Sequence, residues 1–171
     1  RLEAPGQRET QADVALVRSS DPQEFAIKAP LLVGVVHEPF EPVGKQKLEA
    51  DLTVTKLGEE KFLVVVTDTM HRHAETWMKR HFPEGVHAIV TDVTSGYGQL
   101  NVQGPRSREL LQSITTTDLS NETFPFRTAR EIDIGFARVL CVRITYLGEL
   151  GYELYIPAEQ AVHVYDRVVE A

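Results

Sequence analysis

The sequence predicts an α+β fold, with antiparallel sheets and helices packed on one side of them. Three observations carry this. From residue 48 onward, short apolar segments alternate with period two and are joined by tight polar turns. Three amphipathic stretches with helical spacing interrupt them. The order reads strand, strand, helix, strand, strand, helix, then further strands and a last helix, without the regular strand–helix alternation of a parallel sheet.

Residues 1–30 are polar and charged, with RSSDPQE at 18–24 as a turn-rich break. LLVGVVHE at 31–38 is the first buried strand, and PFEPVGKQK at 39–47 has the prolines and glycine of a loop. DLTVTKL, GEE and KFLVVVTD then spell a hairpin over 51–68. In TMHRHAETWMKRHF at 69–82, Thr69 is the expected N-cap, and Ala74, Trp77 and Met78 share a face. Pro83 and Gly85 end that helix. HAIVTDVT and GYGQLNVQG are two more strands.

GPRSRELLQSIT opens the second helix, with Pro105 in its first turn and Leu110, Leu111 and Ile114 inward. TTDLSNETFPFRT is a loop. REIDIGFARVLCVRITYLG and ELGYELYIP supply the remaining strands. In AEQAVHVYDRVVEA, residues Ala161, Val164, Tyr165, Val168 and Val169 form one apolar helix face. A ferredoxin-like relation between the strand–helix halves is open, since no internal sequence repeat supports it.

The 171 residues suit one compact domain or two small ones, and 42% hydrophobic with 25% charged residues is ordinary globular composition. The chain begins at Arg1 and ends inside a helical pattern, which reads as part of a longer protein. No apolar run approaches the roughly 20 residues of a membrane span, and no signal-peptide pattern opens the chain. A net charge of −7 without a basic stripe argues against nucleic acid as partner. The single Cys141, in RVLCVRI, rules out an internal disulfide and reads as a buried core thiol in a reducing compartment.

Dinucleotide and phosphate-loop fingerprints are missing, as is a nucleophile elbow; GYG at 96–98 lacks the rest of the pattern. His71 and His73, two apart on a helix, point to different faces and read as solvated, not as metal ligands. Carboxylates remain. Asp51, between Ala50 and Leu52, is by pattern either a functional acid or a strand-edge residue. Glu149 and Glu153 would share a face of a continuous strand, unless Gly151 forms a bulge or bend that re-aims Glu153. Tyr146 and Glu153 bracket this segment. Together they suit a planar ligand with a row of donors, stacked by the ring and paired by the carboxylate, although GELG as a plain hairpin turn explains the same letters.

From residue 48, LEADLTVTKLGEEKFLVVVTD, DVTSGYGQLNVQGPRSRELLQSITTTDLSNETFPF and RITYLGELGYELYIPAEQAVHVYD resemble, in order, the aminomethyltransferase (glycine-cleavage T-protein) folate-binding family. Within it the text is most similar to the C-terminal folate domain of dimethylglycine and sarcosine dehydrogenases. GELGYEL favours these over free-standing T-proteins, which more often read GYTGEDG there.

The resemblance implies a partial T-protein-like folate-binding domain over 48–171, with 1–47 a poorly matching segment. It implies tetrahydrofolate as cofactor and an N-methyl amine as one-carbon donor. FAD is expected only in a flavin domain outside this chain. Asp51 takes the place of the catalytic carboxylate. Tyr146 and Glu153 take the places of pterin-contacting residues, and Phe126 that of a flanking aromatic. The implied location is the cytoplasm or the mitochondrial matrix.

Overall fold

A computed structural model describes residues 12–19, 31–37, 48–82 and 84–171. The expected loop at 39–47, the latter part of the break at 18–24, and Pro83 lie outside the described residues. Nine strands form two antiparallel sheets among the described residues. The first sheet contains β1 (Ala12–Ser19), β2 (Leu31–His37), β3 (Leu48–Gly58), β4 (Lys61–Thr67) and β5 (Ala88–Asp92), in the order β2-β3-β4-β1-β5. The second contains β6 (Tyr97–Gln103), β7 (Ala129–Ile134), β8 (Ala137–Val142) and β9 (Gly151–Pro157), ordered β6-β9-β8-β7. The expected antiparallel α+β architecture is therefore present.

The alternation of KFLVVVT explains the layering. On one face of β4, Phe62, Val64 and Val66 pack with Ala74, Met78 and Phe82 of the α1 region (helix His71–Arg80) and with Val90. On the other face, Leu63 and Val65 meet Val142 and Tyr155 of the second sheet and Ile144 just after β8. That sheet turns its far face, with Val102, Val139, Cys141, Tyr152, Leu154 and Ile156, toward α2 (Ser107–Ile114) and α3 (Ala161–Glu170). The two sheets thus meet face to face, and each carries its helices on its outer side. Burying such alternate faces is what a period-two pattern is for.

Several sequence expectations are corrected. Strand β1 arises within the polar stretch and pairs with both β4 and β5. A short 3₁₀ turn, Asp68–Met70, precedes α1, so Met70 and not Thr69 occupies the cap, without a side-chain cap bond. Pro105 lies before α2, whose cap is Arg106. On α3, Val164 is fully buried and Ala161 and Val168 pack on the core, but Tyr165 and Val169 are exposed. The apolar face is narrower than the letters imply. His71 is not simply solvated: its Nε2 lies 3.3 Å from Asp92 Oδ2, tying α1 to the end of β5. Cys141 is buried as expected, and burial pushes its thiol up to about 12.

Candidate functional site

Where the inner faces of the two sheets diverge, they leave a cavity of about 410 Å³. Asp51 and Thr53 of β3 and Val65 and Thr67 of β4 form one wall; in the ladder Thr53 stands opposite Val65. Gln99, Asn101 and Gln103 of β6, with Glu153 of β9, form the other, and Asn101 pairs with Glu153. The loop after β8 closes the rim with Thr145, Tyr146 and Leu147, above the buried Ile144. Three of the four residues singled out from sequence, Asp51, Tyr146 and Glu153, therefore share one cavity. Phe126 does not line it. It sits half-exposed in the loop before β7, with the Arg127 guanidinium 5.6 Å from its ring centroid.

Glu153 is the electrostatic centre of this cavity. Burial raises its pKa, and a hydrogen bond from the Tyr155 hydroxyl to Oε2, at 2.5 Å, opposes the rise. Tyr155 lies on the same strand face, two residues on, and is fully buried. Its own hydroxyl is held well above the usual tyrosine range, first by burial and then by the Glu153 charge, so it stays a donor. Tyr155 is the hydrogen-bond partner of Glu153 among the described residues, which leaves the carboxylate capacity for further donors. Among the described residues the lining holds two carboxylates and neither lysine nor arginine. Such a cavity favours ligands that present N–H groups or positive charge.

Residues 44–171 match the GCVT N-terminal domain family. The chain belongs to that family. It is 38% identical over 124 residues to a 4-methylaminobutanoate oxidase (formaldehyde-forming) of Paenarthrobacter nicotinovorans, covering 72% of this chain and 15% of the relative. It is 32% identical over 128 residues to human mitochondrial dimethylglycine dehydrogenase, covering 74% of this chain and 15% of that protein. It is also 30% identical over 122 residues to the mouse mitochondrial pyruvate dehydrogenase phosphatase regulatory subunit, covering 71% of this chain and 14% of that protein. The chain thus spans about 15% of the length of these curated relatives. Among solved structures, the glycine cleavage system aminomethyltransferase T of Bartonella henselae superposes with a TM-score of 0.63 at 20% identity. That superposition covers 94% of this chain and 44% of the other, and it establishes the shared fold.

In this GCVT domain the segment ITYLGELGYELYIP is bent, as its glycines imply, but Gly151 takes no part in the bend. β9 starts at Gly151 and runs regularly to Pro157. The bend comes earlier, at Gly148, whose φ of 76° lies in the left-handed region that glycine tolerates. Gly151 has another reason: a Cβ there would lie 2.2 Å from Gln103 Oε1, so the glycine makes room for the facing side chain. The turn is pinned from the other side by Leu150, whose carbonyl accepts from Gly104 N at 2.8 Å and Ser107 Oγ at 3.1 Å. Glu153 accordingly points into the cavity through ordinary strand alternation. Glu149 remains an exposed charge.

Sequence reasoning missed the amide row Gln99, Asn101 and Gln103 and the threonines Thr53 and Thr67. GYGQLNVQG does carry a signal, because its polar residues recur with period two. That pattern ordinarily denotes a face toward water; here the polar face lines one wall of a cavity that opens to solvent at its rim.

Proposed function

We propose that this chain is the tetrahydrofolate-binding, one-carbon-transfer region of a flavin-dependent dehydrogenase of dimethylglycine or sarcosine type. It would accept a methylene unit to give 5,10-methylenetetrahydrofolate. One observation carries the reading: Asp51, Tyr146 and Glu153, from three separate segments, line a single cavity whose charged side chains, among the described residues, are carboxylates. Its volume of about 410 Å³ falls within the ordinary range for small-molecule sites and suits a bicyclic pterin head with the folate tail outside.

The residues fit that ligand. Glu153 accepts a pair of hydrogen bonds from the pterin amino group and the adjacent ring N–H, a pairing open to an acceptor with one oxygen already engaged by Tyr155. Tyr146, 90% exposed on the rim, offers its ring to the flat face of the pterin. When bound, tetrahydrofolate supplies two amine nitrogens that capture a formaldehyde-level carbon. Asp51, exposed on the opposite wall, accepts the proton released as an amine N–H adds to that carbon. Its negative charge also favours an approaching iminium. In such enzymes the iminium is made by FAD in a domain outside this chain, from an N-methyl amine. A mitochondrial-matrix or cytoplasmic location is supported by the similarity to mitochondrial relatives.

In the intact protein, Asp51→Asn is expected to leave the tetrahydrofolate dissociation constant within about twofold while lowering methylene transfer about 10²- to 10⁴-fold. An unchanged transfer rate removes Asp51 from catalysis. The full coding sequence separates this reading from a free-standing aminomethyltransferase, because a dinucleotide fingerprint upstream belongs only to the former. A second reading, a non-catalytic regulatory homologue, is favoured by the similarity to the phosphatase regulatory subunit. Tetrahydrofolate binding without any transfer in the unaltered protein would select it.

A further inference from the structure

Among the described residues, the stretch 145–147 around Tyr146 is tethered by one side-chain hydrogen bond. Tyr146 is 90% exposed and makes no hydrogen bond of its own among the described residues, so its neighbours set its position. On one side Ile144 is buried between the sheets. On the other, Gly148 turns the chain away. Between them Thr145 Oγ1 donates to Gln103 Oε1, at 3.1 Å, across from the end of β6.

We infer that Gln103 is a positioning residue for ligand binding, holding Thr145 and through it the Tyr146 ring at the cavity rim. This role rests on the folate reading above. Three observations support it. Gln103, Thr145 and Tyr146 line the same cavity. The Gln103 carboxamide lies in the space that the missing Cβ of Gly151, its partner in the β6–β9 ladder, leaves open. Finally, Gln103 Nε2 is buried without a hydrogen-bond partner among the described residues. Burying an unsatisfied amide opposes folding, so filling the gap alone would be done better by an apolar side chain. The carboxamide is explained by what its oxygen holds.

The test is a set of variants of the intact protein titrated with tetrahydrofolate by calorimetry, with thermal unfolding followed in parallel. Thr145→Val keeps the shape of the side chain and removes the donor. It is expected to raise the dissociation constant about two- to tenfold, the worth of one neutral hydrogen bond. Gly151→Ala displaces the flexible Gln103 end and should reproduce that loss, whereas Thr145→Ser, which keeps the hydroxyl, should bind within about twofold of the unaltered protein. In a Tyr146→Ala background, Thr145→Val should cost nothing more, because the coupling runs through that ring. A merely structural effect would add in full. Unchanged affinity in Thr145→Val, or full additivity with Tyr146→Ala, overturns the positioning role while leaving the folate reading in place. Failure of the unaltered protein to bind tetrahydrofolate overturns both.

Discussion

Replacing Tyr155 by phenylalanine isolates the electrostatics of Glu153. The Tyr155 ring packs among Leu63, Val65, Val142 and Ile144 between the sheets, and phenylalanine keeps that packing. What disappears is the hydroxyl that donates to Glu153 at 2.5 Å. A hydrogen bond to a charged group contributes about 1.5–3 kcal/mol, so Tyr155→Phe should lose that amount while Glu153 is ionised. For a chain of this size the loss lowers Tm by about 3 to 12 °C.

The pH dependence gives the sharper criterion. Burial holds the folded-state pKa of Glu153 above its unfolded value. The stabilisation from this group is therefore fully present below the unfolded carboxyl pKa and is lost as pH rises through the folded one. Removing the hydroxyl that opposes the rise moves the folded value higher still, so the variant loses more stability on the alkaline side. Urea unfolding at about pH 8 and about pH 5 should show a large deficit at the former and a smaller one at the latter. Equal deficits at both would refute the reasoning and assign the loss to packing.

Two further outcomes follow from the same structure. Glu153→Gln removes a charge that burial disfavours, so its Tm should exceed that of the unaltered protein at neutral pH, with the gap closing on acidification; a lower Tm would show that Tyr155 more than offsets the burial. Cys141, buried and with its thiol pushed up to about 12, should react with a disulfide reagent only when the protein is unfolded, and prompt labelling of the native state would contradict this placement.

The elements legible in the sequence are those whose pattern is local. The β3–β4 hairpin and the three helices follow from letters a few positions apart, with ends shifted by a residue or two where 3₁₀ turns intervene. Strand β1 was illegible because its pairing with β4 and β5 joins distant segments, and its surroundings are polar. The face of β6 was ambiguous for a related reason: alternation tells which residues share a side and is silent on what faces that side. The reason for Gly151 was illegible because its cause is Gln103 on the neighbouring strand, and only the register between β6 and β9 brings the two together. Asp51, Tyr146 and Glu153 stood out by pattern but took their roles from a resemblance. Composition and spacing alone left each with an ordinary alternative.

The central claim is that this cavity binds a pterin through Glu153. Calorimetric titration of the intact protein and of Glu153→Gln with tetrahydrofolate tests it most directly. The amide keeps the size of the carboxylate but sets an N–H₂ group against the pterin donors, so binding should weaken by about 2–5 kcal/mol, from roughly thirtyfold to undetectable. Equal affinity in the two proteins would contradict the account.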